Sequence, residues 1–130
     1  MKSYSKKVTV AASDLDALEH VNNIRFLEWV QEISKAHWSD LSRDKFEDRF
    51  FWVVRSHQIT YFKPAVLGDE LTINTFVHEG KGPLSKRVVE FYIDGPENKI
   101  ARCETDWILL EYRTEKPCRI PKEIQDLFGY

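Results

Sequence analysis

The chain has 130 residues, 42% hydrophobic and 31% charged, with a formal net charge of -2. That length suits one domain spanning residues 1–130 and leaves no room for two of ordinary size. Mixed charge signs exclude the electrostatic footprint of sequence-independent nucleic-acid binding, and 17 aromatics (8 Phe, 5 Tyr, 4 Trp) supply a core that a disordered chain lacks.

The basic N-terminal segment, residues 1–7, is followed by no apolar stretch, and nowhere do about 18 apolar residues run together. A cytoplasmic protein without a membrane partner is expected. Cys103 and Cys118 are expected as reduced thiols in that setting.

Residues 6–12 alternate well enough for a first strand, and residues 13–22 form a polar, turn-prone connection. From Asn23 to about Leu41, Ile24, Leu27, Val30, Ile33, Ala36 and Leu41 recur at spacings of three to five residues, with Phe26, Trp29 and Trp38 widening the stripe. This spacing predicts one long helix, with Asn22 or Asn23 as its N-cap. Four strands follow, over residues 51–62, 70–78, 84–93 and 99–112, separated by turn clusters at 80–83 and 94–98. A short helix over residues 122–128 closes the chain. The order predicts an α+β domain in which an antiparallel sheet of about five strands packs against the long helix. Its outer face, with Phe76, and its unpaired edges predict self-association.

Several chemistries are excluded by motif. The four histidines show no HExxH or paired Cys/His spacing, no Gly-rich loop cradles phosphate, and no GxSxG elbow is present. No metal and no cofactor are expected. The densest polar cluster is Asp14, Asp16, Glu19, His20, Asn22 and Asn23, set against the start of the helix. Turn and capping roles account for these residues on their own. A carboxylate beside a helix N-terminus also fits acyl transfer, because free N–H groups there stabilise an oxyanion.

The run from Asp14 to Trp29 resembles the signature of hot-dog-fold acyl-CoA thioesterases of the 4-hydroxybenzoyl-CoA thioesterase type, Asp-x-Asp-x-x-Gly-His-Val-Asn-Asn leading into a central helix. The segment from Tyr61 to Leu71, with Pro64 and Gly68-Asp69, is similar to that family's passage from its second strand into its third. The resemblance implies a hot-dog fold and hydrolysis of acyl-CoA thioesters in a site shared across a homodimer or dimer of dimers. It implies Asp16 as base or nucleophile, His20 beside it, and Glu19, Asn22 and Asn23 at the substrate.

A partial resemblance to plant-type fatty acyl-carrier-protein thioesterases leaves an acyl-carrier protein open as the alternative substrate carrier. Those enzymes add an Asn where this chain has Leu18, and a Glu near Pro64 or Ala65. Glu19 stands where the signature has Gly. These departures keep a second reading in view, a catalytically silent protein that binds acyl-CoA or acyl-carrier protein. A hydratase acting on enoyl thioesters is a third. Glu28 and Glu32 read as a solvated helix face, and Lys63, Lys81, Lys86 and Arg87 as surface cations. Tyr61, Phe62 and Trp107 read as core, dimer interface or acyl channel.

Overall fold

Helical spacing from Asn23 brings Phe26, Trp29, Val30, Ile33 and His37 onto one face, and all five are buried. A computed structural model of the chain describes residues 2–130. In it, β1 (Ser3–Thr9) leads through a 3-10 turn (Ala12–Asp14) to α1 (Asn23–Ser42). The strands β2 (Phe50–Tyr61), β3 (Glu70–Lys81), β4 (Leu84–Ile93) and β5 (Lys99–Glu111) follow, then α2 (Lys122–Phe128).

The five strands form one antiparallel sheet in the order β1-β3-β4-β5-β2, so β1 and β2 are its edges. Alternation puts Leu71, Ile73, Val89, Phe91, Ala101 and Cys103 in one core with the α1 face. A second core gathers Phe46, Val77, Leu109, Ile120, Ile124 and Phe128. This helix-in-sheet arrangement is the hot-dog architecture that the resemblance implies.

Two strands differ by three residues from the bounds predicted by alternation. β1 starts and ends three residues early, because its ladder with β3 stops at Thr9 opposite Glu70. Beyond it, Val10 donates to the Asp69 carbonyl and accepts from Gly68, which turns the chain out of the sheet. β3 runs on to Lys81 through a bulge between Val77 and Glu79. The two cysteines are free thiols, Cys103 buried and Cys118 half-buried. Among the described residues, no helix is long and apolar enough to cross a membrane.

Candidate active site

Residues 16–20 form a tight loop whose stem is a bridge between Leu15 and Val21. The Asp16 N–H donates to the His20 carbonyl at 2.7 Å, and the Glu19 N–H to the Asp16 carbonyl at 3.1 Å. Asp16 Oδ1 accepts from the N–H groups of Leu18 (2.8 Å) and His20 (3.2 Å). Asp16 therefore shapes the loop with one oxygen, and Oδ2 has no partner among the described residues. Glu19 adopts φ 63°, the left-handed conformation that the signature's Gly supplies without strain. The Glu19 side chain is exposed.

The loop is anchored at three points. Val21 donates to the Ala65 carbonyl, and Asn22 to that of Asp14, each at 2.9 Å. The buried Asp14 accepts from Ala11 N–H through Oδ2 and from Arg25 Nε through Oδ1. Arg25 also reaches Glu32 at 3.2 Å and Glu28 at 3.6 Å, and lies over the Trp29 ring. Burial lowers the Arg25 pKa, but hydrogen bonds to Asp14 and Glu32 outweigh it and raise the net value.

Tandem asparagines divide their tasks at the helix start. Asn22 is the N-cap, its side chain accepting from Ile24 N–H at 2.9 Å, whereas Asn23 is the first helical residue and is exposed. The Asn22 carbonyl takes the N–H groups of Arg25 and Phe26. Asn23 N–H is thus the first-turn donor left without an acceptor among the described residues. The Asn23 carbonyl accepts from Tyr61 Oη at 3.3 Å, and burial pushes the Tyr61 phenol pKa up.

Asp16, His20, Asn23, Tyr61 and Lys63 line one cleft of about 340 Å³, floored by Val21 and Phe26. Lys63 is held at its edge by Asn98 Oδ1 at 2.7 Å. Around the loop, Leu18 (77%), Ile24 (68%), Phe62 (53%) and Leu67 (60%) are exposed to an extent unusual for large apolar side chains.

Residues 1–128 match the model of the acyl-ACP thioesterase N-terminal domain. The chain belongs to that thioesterase family. It is 28% identical to the long-chain acyl-CoA thioesterase FadM of Escherichia coli (strain K12), over 92% of each chain. Its structure is similar to that of a Thermus thermophilus thioesterase complexed with coenzyme A and zinc, with TM-score 0.83 and 25% identity. That match covers 95% of this chain and 90% of the other. A 1,4-dihydroxy-2-naphthoyl-CoA thioesterase from Synechocystis shares the fold at TM-score 0.81 and 19% identity, over 98% of this chain and 96% of the other.

In this thioesterase domain the fold brings Asp16, His20 and Asn23 to one cleft, while Asn22 caps the helix and Glu19 is exposed on the same loop. The His20 ring makes no hydrogen bond among the described residues. Glu28 and Glu32 pair with Arg25 on the helix surface, as a solvated face would. Lys86 pairs with Asp106. Arg87, read from sequence as a surface cation, is instead buried, because its inward place on β4 puts it beneath α1. Tyr61 and Phe62 sit at the cleft, whereas Trp107 is buried beside a different cavity. Arg25 orders the site through Asp14 and Tyr61 through a contact across the fold with Asn23, and no motif marks either.

Proposed function

We propose that this domain hydrolyses acyl-CoA thioesters to the free acid and coenzyme A in the Asp16 cleft. What supports the reading is that one cleft is lined by Asp16, whose Oδ2 has no partner among the described residues, and by Asn23, whose helix N-terminal N–H has no acceptor among them. Asp16 Oδ2 activates a water, or attacks the thioester carbonyl directly to give an acyl anhydride on Asp16 that a water then hydrolyses to the free acid. Asn23 N–H holds the oxyanion that forms, and the C–S bond breaks as the coenzyme A thiolate leaves and takes up a proton. His20, on the same cleft, orients the substrate or Asp16.

Coenzyme A as carrier is supported by the likeness to FadM, a long-chain acyl-CoA thioesterase. The family description favours acyl-carrier protein as the second carrier. A thiol-release screen over both carriers, with short, long, branched and aromatic acyl groups, tests the reading. Asp16→Asn is expected to lower turnover by about a hundredfold or more while keeping the fold. Full turnover in that variant would overturn it.

In the same reading, residues 1–130 act as one domain and two copies pair. β2 is a long edge strand bonded on one side alone, and the exposed apolar ring of Leu18, Ile24 and Phe62 adjoins the cleft. A partner over that ring closes the acyl site. Light scattering at micromolar concentration is expected to give a dimer or a dimer of dimers, and a monomer would exclude it.

A further inference from the structure

A second cavity, of about 360 Å³, lies under the C-terminal half of α1 and shares no lining residue with the Asp16 cleft. Ser34, its first α1 residue, is 11 positions beyond Asn23, about 17 Å along the helix axis. Its walls are aromatic, built from Trp38, Phe50 and Phe128 among others. Lys35 and Glu47, opposite in charge and both exposed, stand at its rim.

Arg87 lines this cavity and is 4% exposed. Buried cations are ordinarily paired, since an uncompensated one costs several kcal/mol. Among the described residues, no carboxylate lies within ion-pair distance of Arg87. Its Nη1 donates instead to His37 Nδ1 (2.9 Å) and Thr75 Oγ1 (3.0 Å). An arginine only donates, so His37 accepts as a neutral imidazole and neither partner offsets the charge. Burial, followed by the adjacent Arg87, holds the His37 pKa down to about 4, consistent with that neutral form. Burial lowers the Arg87 pKa to about 10, which leaves it cationic at neutral pH. Phe128 adds a ring face 5.8 Å from the guanidinium.

Two more residues of the lining carry a buried donor without a partner among the described residues. Trp52 and Trp107 both line the cavity, and their indole N–H groups are buried without an acceptor. Buried indoles normally find one. One uncompensated cation, two unpaired N–H donors and aromatic walls describe a site lacking an acceptor anion with an apolar body. A single carboxylate on an aliphatic or aromatic chain satisfies all three. A polyphosphate carries too much charge for one arginine, and a bare halide leaves the aromatic walls unfilled.

We infer that this cavity is a carboxylate-binding site, in which Arg87, Trp52 and Trp107 hold the carboxylate of an apolar acid. The acid is either free or the far end of a dicarboxylic acyl group. The site stands independently of the hydrolysis at Asp16, and its primary test reads binding alone.

Calorimetric titration of the full chain with sodium octanoate at neutral pH, matched by uncharged 1-octanol, tests charge recognition. Octanoate is expected to bind about tenfold more tightly than octanol. Trp107→Phe keeps an aromatic ring and removes the N–H, so octanoate should weaken several-fold more than octanol. Arg87→Gln should abolish the preference for the acid. Should that variant fail to fold, the octanoate affinity of Trp107→Phe decides. Equal binding of acid and alcohol, no binding of either, or an unaltered octanoate affinity in Trp107→Phe would overturn the site. Two outcomes then separate the sources. Faster hydrolysis of hexadecanedioyl-CoA, whose chain is long enough to span from the Asp16 cleft to Arg87, than of hexadecanoyl-CoA, lost in Trp107→Phe, assigns the carboxylate to the far end of a substrate. Equal hydrolysis, with octanoate still bound, assigns it to a free acid.

Discussion

Asp14 Oδ1 lies 2.9 Å from Arg25 Nε, tying the loop before α1 to the helix's own first turn. The second Asp14 oxygen accepts from Ala11 N–H at 2.8 Å, so this carboxylate is spent on structure while Asp16 keeps one oxygen free.

Asp14→Ala therefore removes two hydrogen bonds at a buried position and leaves Arg25 with Glu28 and Glu32 alone. A loss of about 1–2 kcal/mol in unfolding free energy is expected from urea denaturation. Asp16→Asn should stay within roughly 0.5 kcal/mol of the parent, since an amide oxygen still accepts from Leu18 and His20. The two neighbouring aspartates are thus distinguished by which property each variant loses.

Glu19 holds φ 63°, where a side chain costs about 1–2 kcal/mol relative to glycine. Glycine's greater freedom in the unfolded chain offsets about 0.4–1 kcal/mol of that. Glu19→Gly is expected to raise stability by about 0.5–1 kcal/mol, with thioester turnover kept. A lower melting temperature would show that the Glu19 side chain makes a compensating contact.

Hydrophobic spacing locates α1 and the four strands β2 to β5 to within a few residues, because each buries one face and so carries its period in the residue types. For β1 it points three residues too late, since this edge strand is largely exposed and Lys6 and Lys7 interrupt its alternation. The Asp16 loop is legible through its local run, which fixes turn and cap together. Arg87 is not, because a charged residue at an inward strand position looks the same in sequence as one facing water. The division of labour between Asn22 and Asn23 also depends on geometry, either residue being a competent cap.

His37 predicts a dependence of stability on pH. Burial, then the adjacent Arg87, lowers its pKa from 6.5 to about 4, with a smaller opposing effect from Asp40. Between those values the unfolded chain binds the proton that the folded chain refuses, so stability rises with pH. The contribution is complete above about pH 6.5, falls as pH drops toward 4 and levels off below it. Its size is on the order of 3 kcal/mol. Burial also lowers the His57 pKa, which adds a slope of the same sign. His37→Gln keeps an acceptor for Arg87 and should flatten the urea-unfolding profile between pH 6.5 and 4 relative to the parent. Parallel profiles would contradict the assignment.

The helix N-terminus offers a substitution that removes a single hydrogen. Proline at the first helical position is well tolerated, because its fixed φ suits the helix and the N–H it lacks has no helical acceptor there. The preceding Asn22 has φ -63° and ψ 137°, the extended conformation that a following proline favours. Asn23→Pro therefore deletes the unpaired N–H on the Asp16 cleft while leaving the Asn22 cap in place. Stability should stay within roughly 1 kcal/mol of the parent, whereas turnover should fall by about a hundredfold to a thousandfold if that N–H holds the oxyanion. Asn23→Ala keeps the backbone donor and should retain turnover. Asn22→Ala loses the cap and should cost about 1 kcal/mol of stability. Measuring kcat and urea stability for all three separates the donor from the two side chains, and full turnover in Asn23→Pro would remove Asn23 N–H from the mechanism.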